Sequence, residues 1–468
     1  MIPNVISTIV KNDLCIGCGV CASICPDHSL EMEFNHFGEY NPIEEKECVK
    51  ECGLCLKVCP FADGNDNEDS IGKSLFGCIP DISHHPETGY YLDCFVGYAR
   101  ETRECGSSGG IATWLLSNLL KKGIVDYVIA VVPNKDPEKL FKYAILPDPK
   151  SVQDSAGSAY YPVELSEVLR KIQENSGKCA IIGLPCYIKA LKLASQKNKK
   201  LKEKISVTVG LVCGQLKSKH YTDYISSLSG VCPPLQNVYY RGKSKEEPAY
   251  NYYFSCMNKK GNAGKIFFDE GVAVAWTNRW FTQNACNYCD DVFAECADVT
   301  LMDAWLPEYF TDYRGMNLIL VRSTIVKEIF NDGIKTNKIF IKSVQVQDLI
   351  RSQEGVIQIK KEHLAYRLFL DQQKKIQSPI KRIAPKNIWW NPFLRIEVEL
   401  KEHMRVISRN LWAEKNCSGC NIEEMLNKSM YPLLNQLKMG KKISNFFNFP
   451  MTALQFMQRK LWRHSHGR

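Results

Sequence analysis

Eight of the chain's 21 cysteines fall in one short stretch, arranged as two matched sets. The first is Cys15, Cys18, Cys21 and Cys25 followed by Pro26, a C-x₂-C-x₂-C-x₃-C-P run. The second is Cys48, Cys52, Cys55 and Cys59 followed by Pro60, the same run with one extra residue in its first gap. Three thiolates this close can wrap three irons of one cube, while the fourth, three residues on and turned by proline, reaches the other cube. The spacing therefore predicts one 4Fe–4S cluster on Cys15, Cys18, Cys21 and Cys59, and another on Cys48, Cys52, Cys55 and Cys25. Zinc closes a tetrahedron with two pairs and does not ask for a triplet plus a distant fourth, twice. A disulfide knot of this density belongs to small secreted domains, and Met1 to Lys11 lacks the pattern of a signal peptide.

This stretch resembles the two-cluster bacterial ferredoxins, which implies that the protein moves single electrons. Four more cysteines stand at expected strand ends or turns: Cys186, Cys213, and the C-x₂-C pair Cys286 and Cys289. Their spacing allows either a third metal site or buried structural thiols, and leaves both open. Ser107, Ser108, Gly109 and Gly110, preceded by Gly106, lie between an expected strand and an expected helix. Glycines let the backbone approach a ligand, and the first N–H groups of the helix favour an anion such as a phosphate. The alternative is a plain turn, and the spacing is not a Rossmann fingerprint. Cys417 and Cys420 form a late C-x₂-C; a nickel–iron site needs two such pairs, so a surface pair without metal is expected. Cys78, Cys94, Cys105, Cys179, Cys232, Cys256 and Cys296 are expected as buried structural thiols. The histidines form no ligand pattern.

The elements that must position these groups read as an alternation of strands and helices. Strands are expected at Asp93–Arg100, Val125–Val132, Cys179–Leu184 and Ile205–Val212, and helices at Glu164–Gln173, Tyr187–Ser195 and Lys219–Leu228. Ile111, Trp114, Leu115 and Leu119 share one helical face. Such alternation predicts an α/β fold, mixed α+β overall, with a largely parallel sheet. The runs Gln236–Tyr240 and Tyr250–Cys256 suggest an added antiparallel portion. The expected organisation is a two-cluster module at 1–62, a polar linker with one short helix at 63–90, an α/β domain at 91–325 and a helical region at 326–468. Beyond Arg322 the residues carry no evident chemistry until Cys417.

The chain has 468 residues, 45% hydrophobic, enough for two or three domains with a sizeable core. No run of about 18 apolar residues suggests a membrane span. Abundant cysteine without a secretion signal points to a reducing cytoplasm. The net charge is +9, and from Met425 to Arg468 eight cations meet no Asp or Glu. The body is thus nearly neutral and unsuited to nucleic acid, while the tail reads either as packed helices with a cationic face or as a peripheral membrane contact. Pro432, Gly440 and Pro450 are expected to break it into short pieces.

The order of motifs is similar to that of the family of coenzyme F420 hydrogenase/dehydrogenase beta subunits, from about Asp93 to Arg322. The residues are Ser107-Ser-Gly-Gly-Ile-Ala-Thr113, Gly157-Ser-Ala-Tyr160, Gly183-Leu-Pro-Cys186-Tyr-Ile188, Val212-Cys-Gly214, Cys286-Asn-Tyr-Cys289 through Asp303, and Gly315 to Arg322. The resemblance implies a flavin, FAD, with Ser107, Ser108, Gly109 and Gly110 at its phosphates, and a third 4Fe–4S cluster on Cys186, Cys213, Cys286 and Cys289. Two positions depart from the family pattern: Ala159, where a lysine is common, and Met302, where a glycine is common. A missing cation weakens the case for the strongly anionic coenzyme F420. The expectation is a flavin-dependent iron–sulfur oxidoreductase linking a small two-electron organic substrate to a redox partner, a ferredoxin or another electron-transfer subunit. The alternative is a non-catalytic electron-transfer subunit of a larger complex.

Overall fold

The computed structural model describes residues 3–48, 52–389, 391–414 and 423–442. Near the N-terminus, Leu30–Phe34 (β1) and Tyr40–Glu44 (β2) pair antiparallel, with Leu30 and Met32 buried and Glu33 exposed between them and Phe34, the period-2 alternation of a half-buried strand. Ser83–His85 (β3) and Gly89–Tyr91 (β4) form a second hairpin. The main sheet draws on Asp93–Ala99 (β5), Tyr127–Pro133 (β6), Phe141–Leu146 (β7), Cys179–Gly183 (β8) and Ile205–Leu211 (β9). A separate three-stranded sheet contains Leu235–Gly242 (β10), Tyr253–Asn258 (β11) and Ala263–Phe267 (β12), and Val299–Asp303 (β13), Asn317–Val321 (β14) and Ile339–Ser343 (β15) complete the main one.

The order across the main sheet is β15-β5-β14-β13-β9-β8-β6-β7. Only its centre, β13-β9-β8-β6, is parallel; the pairings of β7, β14, β5 and β15 are antiparallel. The α/β class with a mixed sheet stands, but the largely parallel sheet does not. A strand buried on both faces has the same apolar composition in either direction, so sequence does not reveal its sense. The sheet also continues past residue 325, because β15 returns along β5 after the helix Thr324–Lys335.

Side chains alternate between two layers. On β6, Tyr127 and Ile129 face one core, while Val128 and Ala130 face the other. The second core is covered by the helices Ile111–Lys121 and Thr324–Lys335, where Trp114 stacks on Phe330 with centroids 5.8 Å apart. Gly333 permits that approach: a Cβ there would come within 2.5 Å of Trp114. The first core is covered by the helices Ser166–Glu174 and Pro185–Lys197 and by the cysteine-rich module. Arg170 fastens that module by donating to Glu31 at 2.7 Å and to the Leu30 carbonyl at 2.9 Å.

Residues 63–90 carry the helix Glu68–Phe76 as well as β3 and β4. Glu68 is buried and pairs with the buried Lys189 at 3.2 Å, and Arg382 binds Asp69 and Glu295 at 2.9 Å each. The C-terminal region holds the helix Pro392–Glu414 and a helix over 423–442. Pro432 does not interrupt the latter, whose buried Leu426, Met430 and Leu437 share one face. Cys417, Cys420 and the basic tail beyond Lys442 lie outside the described residues. Among the described residues no helix is long and apolar enough to cross a membrane.

Candidate functional site

The two N-terminal cysteine sets fold as a pseudo-symmetric pair. Cys21 sits in the short helix Val20–Ile24 and Cys55 in Leu54–Lys57, each preceded by a glycine in the left-handed region, Gly19 at φ 76° and Gly53 at φ 63°. Burial pushes the thiols of Cys15, Cys18 and Cys21 up, Cys18 to about 12, and the neighbouring Cys59 pushes each the same way. Cys55 is raised by burial and then by Cys52 and Cys25. The fold thus brings Cys59 to the first triplet and Cys25 to the second, the crossed neighbourhoods expected from the spacing. The halves differ in surroundings. A Cβ on Gly19 would meet Ser166 N at 2.8 Å, whereas nothing lies within 4 Å of one on Gly53. Cys18, Cys21 and Cys59 are buried and Cys52 is exposed, so the first quartet faces the body and the second faces outward.

A third quartet gathers at the carboxyl edge of the main sheet, where α/β sheets place their ligands. Cys186 follows β8 in the first turn of the helix Pro185–Lys197, and Cys213 lies two residues beyond β9. Cys286 and Cys289 come from the tight turn Asn284–Tyr288. Burial raises the Cys186 thiol, and Cys289, Cys213 and Cys286 add to the rise; Cys213 is pushed up to about 12. Leu216 N–H donates to Cys286 Sγ at 3.2 Å. Lys360 Nζ lies 2.8 Å from Cys289 Sγ and 2.7 Å from the Asp291 carbonyl oxygen. Among the described residues no trio of His, Cys, Asp or Glu is placed to hold a single metal ion. A cube of four irons spreads its four thiolates wider than one ion does.

Two buried tyrosines lie within electrostatic reach of both the first and the third quartets. The Tyr143 hydroxyl feels the charges of both Cys186 and Cys18, and that of Tyr187 feels Cys186, Cys18 and Cys15. Tyr187 donates to the Val163 carbonyl at 2.6 Å and Tyr143 to the Ile182 carbonyl at 3.2 Å, with ring centroids 6.5 Å apart.

The Ser107–Gly110 loop follows β5, whose carboxyl end lies on the same sheet edge as those of β8 and β9. Three inter-strand steps separate β5 from β9, about 14 Å at the usual spacing. The loop's glycines answer to the protein's own backbone: a Cβ on Gly109 would come within 2.7 Å of the Gly97 carbonyl, and one on Gly110 within 2.4 Å of the Thr102 carbonyl. The features that suit an anion are different ones. Ser107 Oγ is shielded from solvent and has no partner. Gly110 gives the helix no side-chain cap of its own, though Ile111 N–H donates to Asn317 Oδ1 at 3.3 Å, and Lys243 Nζ donates to the Arg103 and Ser108 carbonyls at 2.5 and 2.9 Å. Burial holds the Lys243 ammonium down to about 8, with Arg103 and Arg241 adding to the fall against Glu104. Ser108 Oγ instead donates to the Met316 carbonyl at 2.8 Å. Nearby, the buried Arg241 pairs with Asp303 at 2.7 Å and lies over the Tyr252 ring at 4.4 Å. Met302 packs into the core opposite Leu318.

Residues 14–62 match a 4Fe-4S dicluster domain. Residues 94–170 and 176–347 match the N-terminal and C-terminal parts of the coenzyme F420 hydrogenase/dehydrogenase beta subunit, and together cover more than half of the chain. The chain belongs to the family of these beta subunits. Its nature is therefore that of an iron–sulfur oxidoreductase subunit, consistent with electron transfer. It is 22% identical over 338 residues to a subunit of the F420H2 dehydrogenase of Methanosarcina mazei, covering 70% of this chain and 85% of that protein. It is 26% identical over 194 residues to the coenzyme F420-dependent sulfite reductase of Methanocaldococcus jannaschii, covering 40% of this chain but 26% of that one. A chain of the F420-reducing NiFe hydrogenase complex from Methanosarcina barkeri superposes with a TM-score of 0.45 at 17% identity, covering 61% of this chain and 96% of that one.

Several groups at this edge of the sheet have no signature in sequence. Arg241, Lys243, Lys360 and Tyr143 carry no motif and come to the sheet edge only through the fold. Tyr187 is legible only as the residue after Cys186. Of the cysteines expected as buried thiols, Cys94, Cys179, Cys256 and Cys296 are buried, but Cys78 and Cys105 are exposed and Cys232 is disulfide-bonded. A lone cysteine lacks the spacing that would fix its surroundings.

Proposed function

We propose that this chain relays electrons in the cytoplasm between a two-electron organic substrate, coenzyme F420 foremost, and a one-electron carrier, a ferredoxin or another electron-transfer subunit. FAD and three 4Fe–4S clusters would be its cofactors, the flavin supplying the exchange between electron pairs and single electrons. Ser107 Oγ, the N–H groups of Gly109 and Gly110, and the Lys243 ammonium would hold the flavin's pyrophosphate. Coenzyme F420 stays the foremost candidate on the family match alone, because Arg241, the cation beside Ala159's neighbour Tyr160, is already paired with Asp303. Cys186, Cys213, Cys286 and Cys289 would hold the cluster on the flavin's side of the relay. Cys15, Cys18, Cys21 and Cys59 would hold the next, and Cys48, Cys52, Cys55 and Cys25 the outermost.

The observation that carries this reading is the succession of three thiol quartets from the sheet edge to the exposed Cys52. Buried Tyr143 and Tyr187, near both quartets, would keep water from the first gap, so that charge moving there would not be held back by solvent reorganisation. The second reading, a non-catalytic subunit, is favoured by the Methanosarcina mazei relative, which is itself one subunit of a dehydrogenase.

Anaerobic protein should contain about twelve irons, four per cube, and bound FAD, and reduced coenzyme F420 should bleach its visible spectrum. Cys289→Ser should remove one cluster and leave the N-terminal pair. About eight irons in the unaltered chain would remove the third cluster from the reading, and an absence of flavin would remove FAD. Bleaching that requires an added partner chain would favour the second reading.

A further inference from the structure

Lys360 ends the helix Glu354–Lys360 and is 2% exposed. Its Nζ meets two acceptors, Cys289 Sγ at 2.8 Å and the Asp291 carbonyl oxygen at 2.7 Å. A buried ammonium needs a compensating negative charge close by. Of these two partners, the ligand sulfur is the one that can carry it. The donors at other ligand sulfurs are neutral amides: Gly17 N–H lies 3.4 Å from Cys15 Sγ, and Leu216 N–H lies 3.2 Å from Cys286 Sγ.

We propose that Lys360 is a positioning residue that raises the reduction potential of the cluster held by Cys186, Cys213, Cys286 and Cys289. This rests on the third-cluster reading above. Reduction adds one electron and no proton, so the charge at the sulfurs becomes more negative while the ammonium beside Cys289 stays as it is. A fixed positive charge and an N–H donor at a ligand sulfur both favour the reduced form. The dry surroundings make the attraction stronger than it would be in water. Lys360 thereby makes the quartet nearest the flavin loop the favoured first stop for an electron arriving from that side.

The test is a potentiometric titration of anaerobic full-length protein followed by electron paramagnetic resonance, with iron counted in every sample. Lys360→Met keeps the aliphatic stem and removes the charge; Lys360→Arg keeps the charge. The expected result is that Lys360→Met retains the parent iron content and moves one midpoint to lower potential, the other two staying in place. Lys360→Arg should return that midpoint most of the way. An unmoved midpoint in Lys360→Met, or a Lys360→Arg shifted as far as Lys360→Met, would overturn the proposal. Loss of one cluster's iron in Lys360→Met would replace it with a role in assembly, unless Lys360→Gln retains the iron and shows the lowered midpoint. The third-cluster reading fails separately, on the iron content of the unaltered chain.

Discussion

Replacing Arg409 should loosen the N-terminal module from the rest of the molecule. The Arg409 side chain is 6% exposed and reaches from the helix Pro392–Glu414 to Glu39, itself 3% exposed. Nε lies 2.9 Å from Oε1 and Nη2 lies 2.6 Å from Oε2. Nη2 also donates to Asp13 Oδ1 at 2.6 Å, and the guanidinium covers the Phe37 ring at 3.9 Å. Burial pushes the Glu39 carboxyl up, and Arg409 is its principal counterweight. In Arg409→Met that carboxylate is stranded, so the cost is that of a broken buried pair, about 3–5 kcal/mol. The half-exposed Asp13 adds less than about 1 kcal/mol. Native-state hydrogen exchange reads the loss as local opening. At 1.4 kcal/mol per decade, protection across β1, β2 and the Phe281 turn should fall by about two to four orders of magnitude. Phe281 N–H, which donates to Ser408 Oγ at 2.8 Å, is a direct reporter. Because the cost lies in the stranded carboxylate, Arg409→Met combined with Glu39→Gln should recover most of the protection. A single variant within about tenfold of the parent, or a double variant no better than the single, would refute this reasoning.

The flavin site makes a pH prediction. With the Lys243 ammonium at the pyrophosphate, FAD affinity should be flat below about pH 8 and fall about tenfold per unit above it, and Lys243→Met should abolish the slope, as read by fluorescence titration. The stability of flavin-free protein should run the other way. Between about 8 and the ordinary 10.5 the unfolded lysine binds the extra proton, so stability rises with pH. Ser107→Val is the cleaner loop variant and should weaken FAD with iron unchanged, whereas Gly109→Asp would also strike the Gly97 carbonyl. For the tail, truncation after Lys442 should leave iron content and sedimentation with anionic vesicles unchanged. Truncation before residue 423, which removes the buried Leu426, Met430 and Leu437, should cost folded protein. Salt-sensitive vesicle binding lost on the shorter truncation would instead favour the membrane contact.

The cysteine sets were legible because ligation of a cube constrains residues that are neighbours in sequence. The helix Lys219–Leu228 and the buried face of Ile111, Trp114, Leu115 and Leu119 were legible because burial imposes a period on local sequence. Strand direction was not, since β13 and β14 carry the same apolar pattern whichever way they run. Nor were the cations. Lys243 follows a strand of the smaller sheet and Lys360 comes from a helix after the last strand, so each reaches its site through tertiary contacts that no spacing announces. Pro432 misled because a helix with one firmly packed face tolerates a break in its exposed ladder.

The apolar interior runs without interruption from Val5, Ile9 and Ile24 of the cysteine-rich module through Tyr187 and Tyr224 to Met404, Trp412 and Leu437. The module is therefore not a tethered carrier that swings between donor and acceptor. Its inner quartet is held at one fixed distance from Cys186, and turnover would not wait on the diffusion of a mobile arm. In the proposed relay, the quartet around exposed Cys52 is the one left to meet a changing partner. On that proposal a free ferredoxin would exchange electrons with this chain there and would not stand in for the module, whose removal would strip part of the cover from one face of the main sheet.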